Sequence, residues 1–376
     1  MTQPGILWTI LAFFAVIGPL IFLHELGHYL VGRWFGVKAD AFSIGFGREI
    51  VGWTDKRGTR WKVAALPLGG YVKFAGDMNP ASAPTAEWLA MSPEERAGTF
   101  QAKPVWQRFL IVAAGPVTNF LFAIIVFMAV FAVSGEPRTP AVIAAVQPGS
   151  PAAAAGIVPG DRISMVAGQS VDRFEDISDI VRIRAGEAVP VDIWRNGRQI
   201  HLRMTPRVDL ERDNFGNEFR IGRIGVSPAG RTIVPLAWHE LPGAAVRQTV
   251  AIVRMMVDTI VQIVTGRRSV SELGGPLQIA KFSGQVATMG WFDFIIFMTM
   301  ISINLGFINL LPIPLLDGGH LFFYAVEAVR RRPVGPQATE WAFRSGLAVL
   351  MAFMVFVTIN DLGNLGLWTR LAGLIG

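Results

Sequence analysis

Two histidines and a glutamate near the N-terminus have the spacing of a metal site in a hydrolase. The segment reads His-Glu-Leu-Gly-His at 24–28. Histidines four positions apart, here His24 and His28, lie on one face of a helix, where both rings can reach one Zn²⁺. Glu25 between them can act as general base on a water molecule. A charge-free run from Ile6 to Leu23 precedes the cluster, and ionisable groups at membrane depth are usually functional. The pattern predicts a metalloprotease site inside a membrane.

The composition agrees with a membrane location for this cluster. Of the 376 residues, 52% are hydrophobic and 16% charged, with a mean hydropathy of +0.43, as is typical of a polytopic membrane protein. Four apolar stretches are long enough to span about 30 Å of hydrocarbon at about 1.5 Å per residue. They cover about residues 6–29, 109–133, 292–326 and 341–365, and the third contains Pro312, Pro314 and Gly318-Gly319 as interruptions.

The basic residues predict how these spans are oriented. The net charge is +6, and the loops 33–108 and 330–344 together contain 15 of the 34 basic residues. Because cytoplasmic loops are enriched in Lys and Arg, both loops should be cytoplasmic. The N-terminus, the C-terminus and about residues 134–290 should then be periplasmic in a bacterial inner membrane. Basic residues that mark topology argue for the lipid bilayer, and not nucleic acid, as the partner.

The spans belong to two membrane parts, residues 1–136 and 291–376. Within the first part, residues 42–74 have the pattern of a β-hairpin next to the metal cluster. Strand-like backbone can enter a membrane only where protein or water covers it. The sequence pattern is equally compatible with a re-entrant hairpin and with an ordinary cytoplasmic one.

The region between the membrane parts predicts a small soluble domain and an interfacial helix. Residues 137–230 alternate short β-like runs with Gly and Pro, which indicates an α+β domain. Its segment 149–163 resembles the PDZ module of bacterial proteases, which can bind an extended chain by strand addition; a spacer without a ligand is the alternative. Within residues 231–290, apolar positions from Ala245 to Val264 follow helical spacing and predict an amphipathic helix lying on the membrane, followed by a connector.

A zinc hydrolase needs a third protein ligand and an open position for water. The chain has no cysteine, so the ligand must be His, Asp or Glu. Asp317 and His320 are the candidates near a membrane segment, and topology places them at the same membrane face as His24. The alternative for Asp317 is that it only caps a helix broken by the prolines.

Two asparagines stand in apolar surroundings and could help catalysis. Asn309 precedes the proline-rich segment that leads to Asp317, and Asn119 follows Gly115 and Pro116. An amide can donate to a developing oxyanion or hold a substrate backbone. Either amide could instead form a hydrogen bond between helices, which is the favoured interpretation for Asn119.

The motifs together resemble the bacterial site-2 proteases, and the resemblance covers nearly the whole chain in the right order. It rests on the cluster at 24–28, Gly-Phe-Gly at 45–47, Gly-Gly-Tyr-Val-Lys at 69–73, Gly-Pro-Val-Thr-Asn at 115–119, Gly-Gly-Pro at 274–276 and the segment 309–320. One departure is the single PDZ-like signature, since enterobacterial members that regulate a sigma factor carry tandem PDZ domains.

This resemblance implies a set of roles. His24, His28 and Asp317 would hold one Zn²⁺, Glu25 would be the base, and Asn309 would hold the substrate. The β element at 42–74, with Gly69, Gly70 and Tyr71, would present the substrate as an added strand. The expected substrates are single-span proteins of the anti-sigma-factor type, already trimmed outside the membrane, or remnant signal peptides.

Two other function classes remain open from the sequence. A metal-ion transporter would also place His, Asp and Glu inside spans, although it would need further polar residues along the path. A catalytically silent scaffold could bind peptide tails through the PDZ-like domain alone.

Overall fold

The computed structural model describes residues 4–76, 88, 90–212, 218–265 and 275–364. The chain forms two compact units. The first unit comprises Met1–Phe127, Val246–Arg254 and Val270–Gly376, and the second comprises Met128–Ala245 and Met255–Ser269. Gly274 of the Gly-Gly-Pro motif and Leu365 at the predicted end of the fourth span lie outside the described residues.

The N-terminal part of the first unit is helical with one inserted sheet. In chain order it contains α1 (Ile6–Trp34), β1 (Ala39–Thr54), β2 (Arg60–Phe74), α2 (Pro93–Ala97) and α3 (Val105–Ser134).

The two long strands fold back on themselves, so the hairpin is wider than two strands. Residues 41–44 of β1 pair with 70–73 and also with 60–63 of β2, while residues 51–54 pair with 60–63 on the far side. The sheet therefore runs in the order 70–73, 41–44, 60–63, 51–54. Positive-φ glycines at Gly45 and Gly47 allow β1 to bend. Within the described part of the chain, no strand pairs with the outer side of 70–73.

The second unit is an α+β domain. In chain order it contains β3 (Glu136–Arg138), β4 (Ile143–Val146), α4 (Pro151–Ala154), β5 (Arg162–Val166), β6 (Gln169–Ser170), α5 (Phe174–Arg182), β7 (Val189–Arg195), β8 (Arg198–Met204), β9 (Arg207–Arg212), β10 (Glu218–Arg223), β11 (Val226–Pro228) and β12 (Thr232–Val234). An antiparallel sheet runs β6-β5-β7-β8, and β9 pairs with β10, β4 with β11 and β3 with β12. Alternating apolar residues of β5 and β7 face α5 in a buried core of Ile163, Val191, Ile193, Ile177 and Val181.

The remaining chain is helical. It contains α6 (Leu241–Val264), α7 (Pro276–Met289), α8 (Trp291–Leu310), α9 (Asp317–Arg330) and α10 (Pro336–Asn364). Helix α7 occupies what the sequence predicted only as a connector. The carboxylate of Asp361 in α10 caps it, accepting hydrogen bonds from the backbone N–H groups of Gly275, Leu277 and Gln278 at 3.0–3.2 Å. Free N–H groups at a helix start need such a partner.

Four helices among the described residues are long and apolar enough to cross a membrane, which confirms the predicted number. They are Ile6–Trp34, Val105–Ser134, Trp291–Leu310 and Gln337–Leu362. Helix α6 is not among them, and its placement on the membrane surface stays a prediction.

The third span is present as Trp291–Leu310, but its predicted extent of about 292–326 is wrong, because the apolar stretch is divided into two helices. Helix α8 ends at Leu310 and α9 begins at Asp317. Leu311 precedes Pro312 and takes an extended conformation, with φ −64° and ψ 140°, as residues before proline do. Pro312 and Pro314 lack the N–H that would continue a helix. Gly318 and Gly319, expected as further interruptions, lie inside α9.

Candidate active site

Helix α1 places the cluster at 24–28 on the side that faces the rest of the first unit. His24 and His28 are one turn apart, and their exposed fractions are only 7% and 8%. Gly27, between them, permits a close approach of α3, because a Cβ there would lie 2.5 Å from the carbonyl oxygen of Ala114. The absence of a side chain at Gly27 thus sets the distance between α1 and α3 at the site.

The break between α8 and α9 places Asp317 at the first position of α9. The connecting segment packs against the start of α9, where a Cβ on Gly319 would lie 2.5 Å from the carbonyl oxygen of Ile313. Leu315 adopts a φ of +85°, a conformation that costs a residue with a side chain of order 1–3 kcal/mol. A carboxylate at a helix N-terminus is favoured by the helix dipole. The two glycines of the motif therefore make room for the loop that carries Asp317.

His24, His28 and Asp317 bring three ligand atoms together. Nε2 of His24 lies 3.3 Å from Nε2 of His28, and Oδ2 of Asp317 lies 3.0 and 3.4 Å from these nitrogens. Tetrahedral Zn²⁺ with bonds of about 2.0–2.1 Å holds its ligand atoms about 3.3 Å apart. Oδ2 of Asp317 is buried without a hydrogen-bond donor, as a carboxylate oxygen reserved for a cation would be. The donor set and its spacing fit one zinc ion.

His28 is held in one tautomer. Its Nδ1 lies 2.9 Å from the backbone carbonyl oxygen of Ile111 in α3. A carbonyl only accepts, so Nδ1 must carry the proton, and Nε2 of a neutral ring then presents its lone pair to the other ligands. This arrangement prepares His28 to bind a metal.

Gly115 of α3 faces both rings. A Cβ at this position would overlap the His28 ring, with Cε1 at 2.5 Å, and would lie 2.9 Å from Cε1 of His24. Glycine is therefore required here for the two imidazoles to lie against the helix.

Glu25 projects into a cavity of about 550 Å³ next to the three ligands. Val72, in β2, lines the same cavity. The Glu25 side chain also packs against Gly70, where a Cβ would lie 3.0 Å from Cγ of Glu25. Val72 and Gly70 belong to the segment whose outer side has no strand partner, so Glu25 lies beside a free sheet edge.

Most of the residues predicted for substrate contact line the same cavity. Asn309, Gly69, Gly70 and Tyr71 contribute to its wall, together with His320. His320, the alternative third ligand, packs its ring against Phe343. Among the described residues it is not part of the group whose ligand atoms lie within 4.8 Å of one another.

Asn119 makes a contact between helices, from α3 to α1, which was the favoured interpretation of this residue, and does not reach the substrate cavity. It is fully buried, and its amide lies against His24, with Nδ2 at 3.1 Å from Nδ1. Within the described part of the chain, it is not one of the residues lining the cavity. The sequence analysis also did not predict the roles of Ile111 and Gly115. The carbonyl oxygen of Ile111 contacts His28, and the missing side chain of Gly115 leaves room for both histidine rings. The only sequence signal was the Gly-Pro-Val-Thr-Asn pattern in an apolar helix.

Comparisons with known proteins add to this geometry. The family model described as Peptidase family M50 matches residues 12–353. The chain is 44% identical over 361 residues to an Agrobacterium fabrum protein named "Putative zinc metalloprotease Atu1380", covering 95% of this chain and 96% of that protein. It is 35% identical over 400 residues to "Metalloprotease MmpA" of Caulobacter vibrioides, covering 98% of this chain and 99% of that protein.

A solved structure matches about a quarter of the chain, and only weakly. The PDZ domain of an SdrC-like protein from Listeria monocytogenes is 17% identical and covers 24% of this chain and 88% of that chain, with a TM-score of 0.18. A score this low does not establish the fold of the domain.

Proposed function

The chain belongs to peptidase family M50, the site-2 protease family of zinc metalloproteases, and from this premise we propose that it cleaves peptide bonds within the membrane. Its substrate is the transmembrane segment of a single-span protein already shortened outside the membrane. The observation that carries the proposal is the convergence of His24, His28 and Asp317 beside Glu25. The two histidines and Glu25 belong to a helix apolar enough to span a bilayer.

The proposed zinc ligands are His24, His28 and Asp317. A bound zinc ion would lower the pKa of a water molecule and polarise the scissile carbonyl. Glu25, on the same cavity wall, takes the proton from the attacking water and passes it to the leaving amine, which is the role of a general base that then acts as an acid. The amide of Asn309, which lines the same cavity, would donate to the substrate carbonyl.

The free edge of β2 supports binding of the substrate as an added strand. A helical substrate shelters its amides in its own hydrogen bonds, so it must unwind before attack. The segment with Gly69, Gly70 and Tyr71 borders the cavity, and no strand of the described residues pairs with its outer side. Backbone groups on such an edge pair readily with an extended chain. This edge lies next to Glu25, and an added strand would therefore pass directly in front of the proposed base.

We assign the protein to a bacterial inner membrane, with the site towards the cytoplasmic face. The second unit would be periplasmic, where a PDZ-like domain can bind or exclude substrates. The substrates would be of the anti-sigma-factor type, as for the regulator of sigma-E protease, or remnant signal peptides. The distribution of Lys and Arg supports the orientation.

Substrate trapping tests this proposal. Glu25→Gln protein in its native membrane would be crosslinked, purified and compared with wild type by mass spectrometry. We expect single-span membrane proteins to accumulate on the variant, each cut within its apolar segment when wild-type protein is added. Enrichment of soluble proteins only, or uptake of zinc into vesicles without cleavage, would contradict the proposal.

A further inference from the structure

Asn119 contacts a proposed metal ligand and no substrate surface. Its side chain is fully buried, and the amide lies 3.1 Å from Nδ1 of His24. This contact is on the side of the imidazole opposite to Nε2, the atom that faces Asp317. A group in this position controls which ring nitrogen of His24 carries the proton.

The two ends of the Asn119 amide have different consequences for His24. As placed, Nδ2 faces the ring and the amide oxygen Oδ1 is buried without a partner. Rotating the amide by half a turn exchanges the two atoms without changing its shape. Oδ1 then accepts the Nδ1–H of His24, the amide N–H groups take the position that Oδ1 held, and the lone pair of Nε2 is directed towards His28 and Asp317.

Helix α8 holds Asn119 in this position. The hydroxyl of Ser302 donates to the backbone carbonyl oxygen of Asn119 at 3.0 Å. Gly306, one turn further along α8, allows close packing, since a Cβ there would lie 3.3 Å from Cβ of Asn119. Both the backbone and the side chain of Asn119 are therefore held in place by α8.

We propose that Asn119 is a positioning residue: its amide oxygen holds His24 with Nδ1 protonated and Nε2 free for the metal ion. It acts on His24 as the carbonyl of Ile111 acts on His28. Both histidines are thus oriented by α3, while the third ligand comes from α9. The inference rests on the proposed zinc site, and its test is separate from that of catalysis.

The test compares Asn119→Leu with Asn119→Asp in purified, metal-free protein titrated with Zn²⁺ against a competing chelator. Loss of an outer-shell partner typically lowers metal affinity about 10–100-fold, and we expect a decrease in this range for Asn119→Leu. Asn119→Asp keeps an acceptor oxygen and should restore affinity to within a few-fold of wild type. Asn304→Leu removes an amide from α8 outside the cavity wall and serves as the matched control, with unchanged affinity.

Two spectroscopic measurements separate positioning from a general loss of structure. Co²⁺ bound to Asn119→Leu should show an absorption spectrum different from that of wild type, while Asn119→Asp should resemble wild type. In wild-type protein labelled with ¹⁵N-histidine and loaded with Zn²⁺, Nδ1 of His24 should be protonated. This last measurement needs no variant and stays decisive if Asn119→Leu does not fold.

Several results would overturn the inference. The inference is wrong if Asn119→Leu binds zinc with wild-type affinity and gives a wild-type Co²⁺ spectrum. It is also wrong if Asn119→Leu and Asn119→Asp lose zinc affinity equally. Unprotonated Nδ1 in the zinc-loaded wild type would also contradict it. A wild-type protein that takes up no zinc would instead refute the proposed function, so the two failures are distinguishable.

Discussion

Nε2 of His24 and Oδ2 of Asp317 lie 3.0 Å apart, although His24 belongs to α1 and Asp317 begins α9. The site is therefore assembled from two distant parts of the chain, and neither part by itself supplies three metal ligands. Each element that fixes this approach is a point where a substitution should alter zinc binding.

Asp317→Asn tests the third ligand. Asparagine keeps the shape of the side chain but removes its charge. Loss of an outer-shell contact lowers metal affinity about 10–100-fold, and loss of this ligand should lower zinc affinity further. Titration of purified metal-free protein measures this. His320→Asn is the matched control and should bind zinc as wild type does. The reverse outcome, with zinc lost only in His320→Asn, would move the ligand to His320.

Gly115→Ala tests the close packing of α3 on the histidines. The added methyl group would occupy the place of the His28 ring, so both zinc content and cleavage should be lost, while the helices remain folded. Gly18→Ala is the control, because Gly18 lies in α1 with open space around its Cα. Metal analysis of the two purified variants measures the zinc content of each. Full zinc occupancy in Gly115→Ala would show that His28 lies elsewhere.

Gly70→Ala should separate catalysis from metal binding. A Cβ there would lie 2.7 Å from the backbone carbonyl oxygen of Ser43 and 3.0 Å from Cγ of Glu25. The methyl group therefore shifts the sheet edge and Glu25 without touching the ligands. Misplacement of a catalytic group by about 1 Å can cost about 10²-fold, so we expect kcat/KM to fall by about this factor at normal zinc content. If cleavage stays at the wild-type rate, Glu25 does not depend on this sheet edge.

The second unit should lose stability in acid through Asp161. Burial raises the pKa of this carboxyl, but hydrogen bonds from Arg195 and from the backbone N–H of Val158 outweigh it and hold the pKa below the ordinary 3.8. A group that binds its proton more weakly when folded stabilises the fold above about pH 4, and this contribution is lost as pH falls through the folded-state pKa.

Hydrogen exchange of β5 and β7 measures this effect at each pH. Asp161→Asn should exchange faster than wild type at pH 7, and the difference should shrink below about pH 4. Asp179→Asn, at an exposed position of α5, should match wild type throughout. An Asp161→Asn effect that is equal at pH 3 and pH 7 would contradict the assignment.

The features that the sequence predicted well are those with a local signal. The histidine spacing marks a helix face, and uninterrupted apolar runs mark α1, α3 and α10. The third span was predicted too long because the apolar stretch continues past Pro312 and Pro314, where α8 has already ended. Gly318 and Gly319, expected as interruptions, instead accommodate the loop packed over the start of α9. Helix α7 was missed because Ser283 and Gly284 weaken its helical pattern, and Gly284 is needed where α7 meets Thr9.

The supporting contacts of the site had no local signal. Whether Asn119 meets a substrate, another helix or His24 depends on how α1 and α3 are packed. The carbonyl of Ile111 carries no sequence information, since every residue has one. Such contacts follow only from the tertiary structure.

The central claim is that Glu25 performs proton transfer at a zinc site formed by His24, His28 and Asp317. The most direct measurement compares wild-type and Glu25→Gln protein for bound zinc and for cleavage of a single-span substrate in detergent. The account predicts one zinc ion per chain in both proteins and cleavage only by wild type. Cleavage by Glu25→Gln at a rate near that of wild type would contradict it.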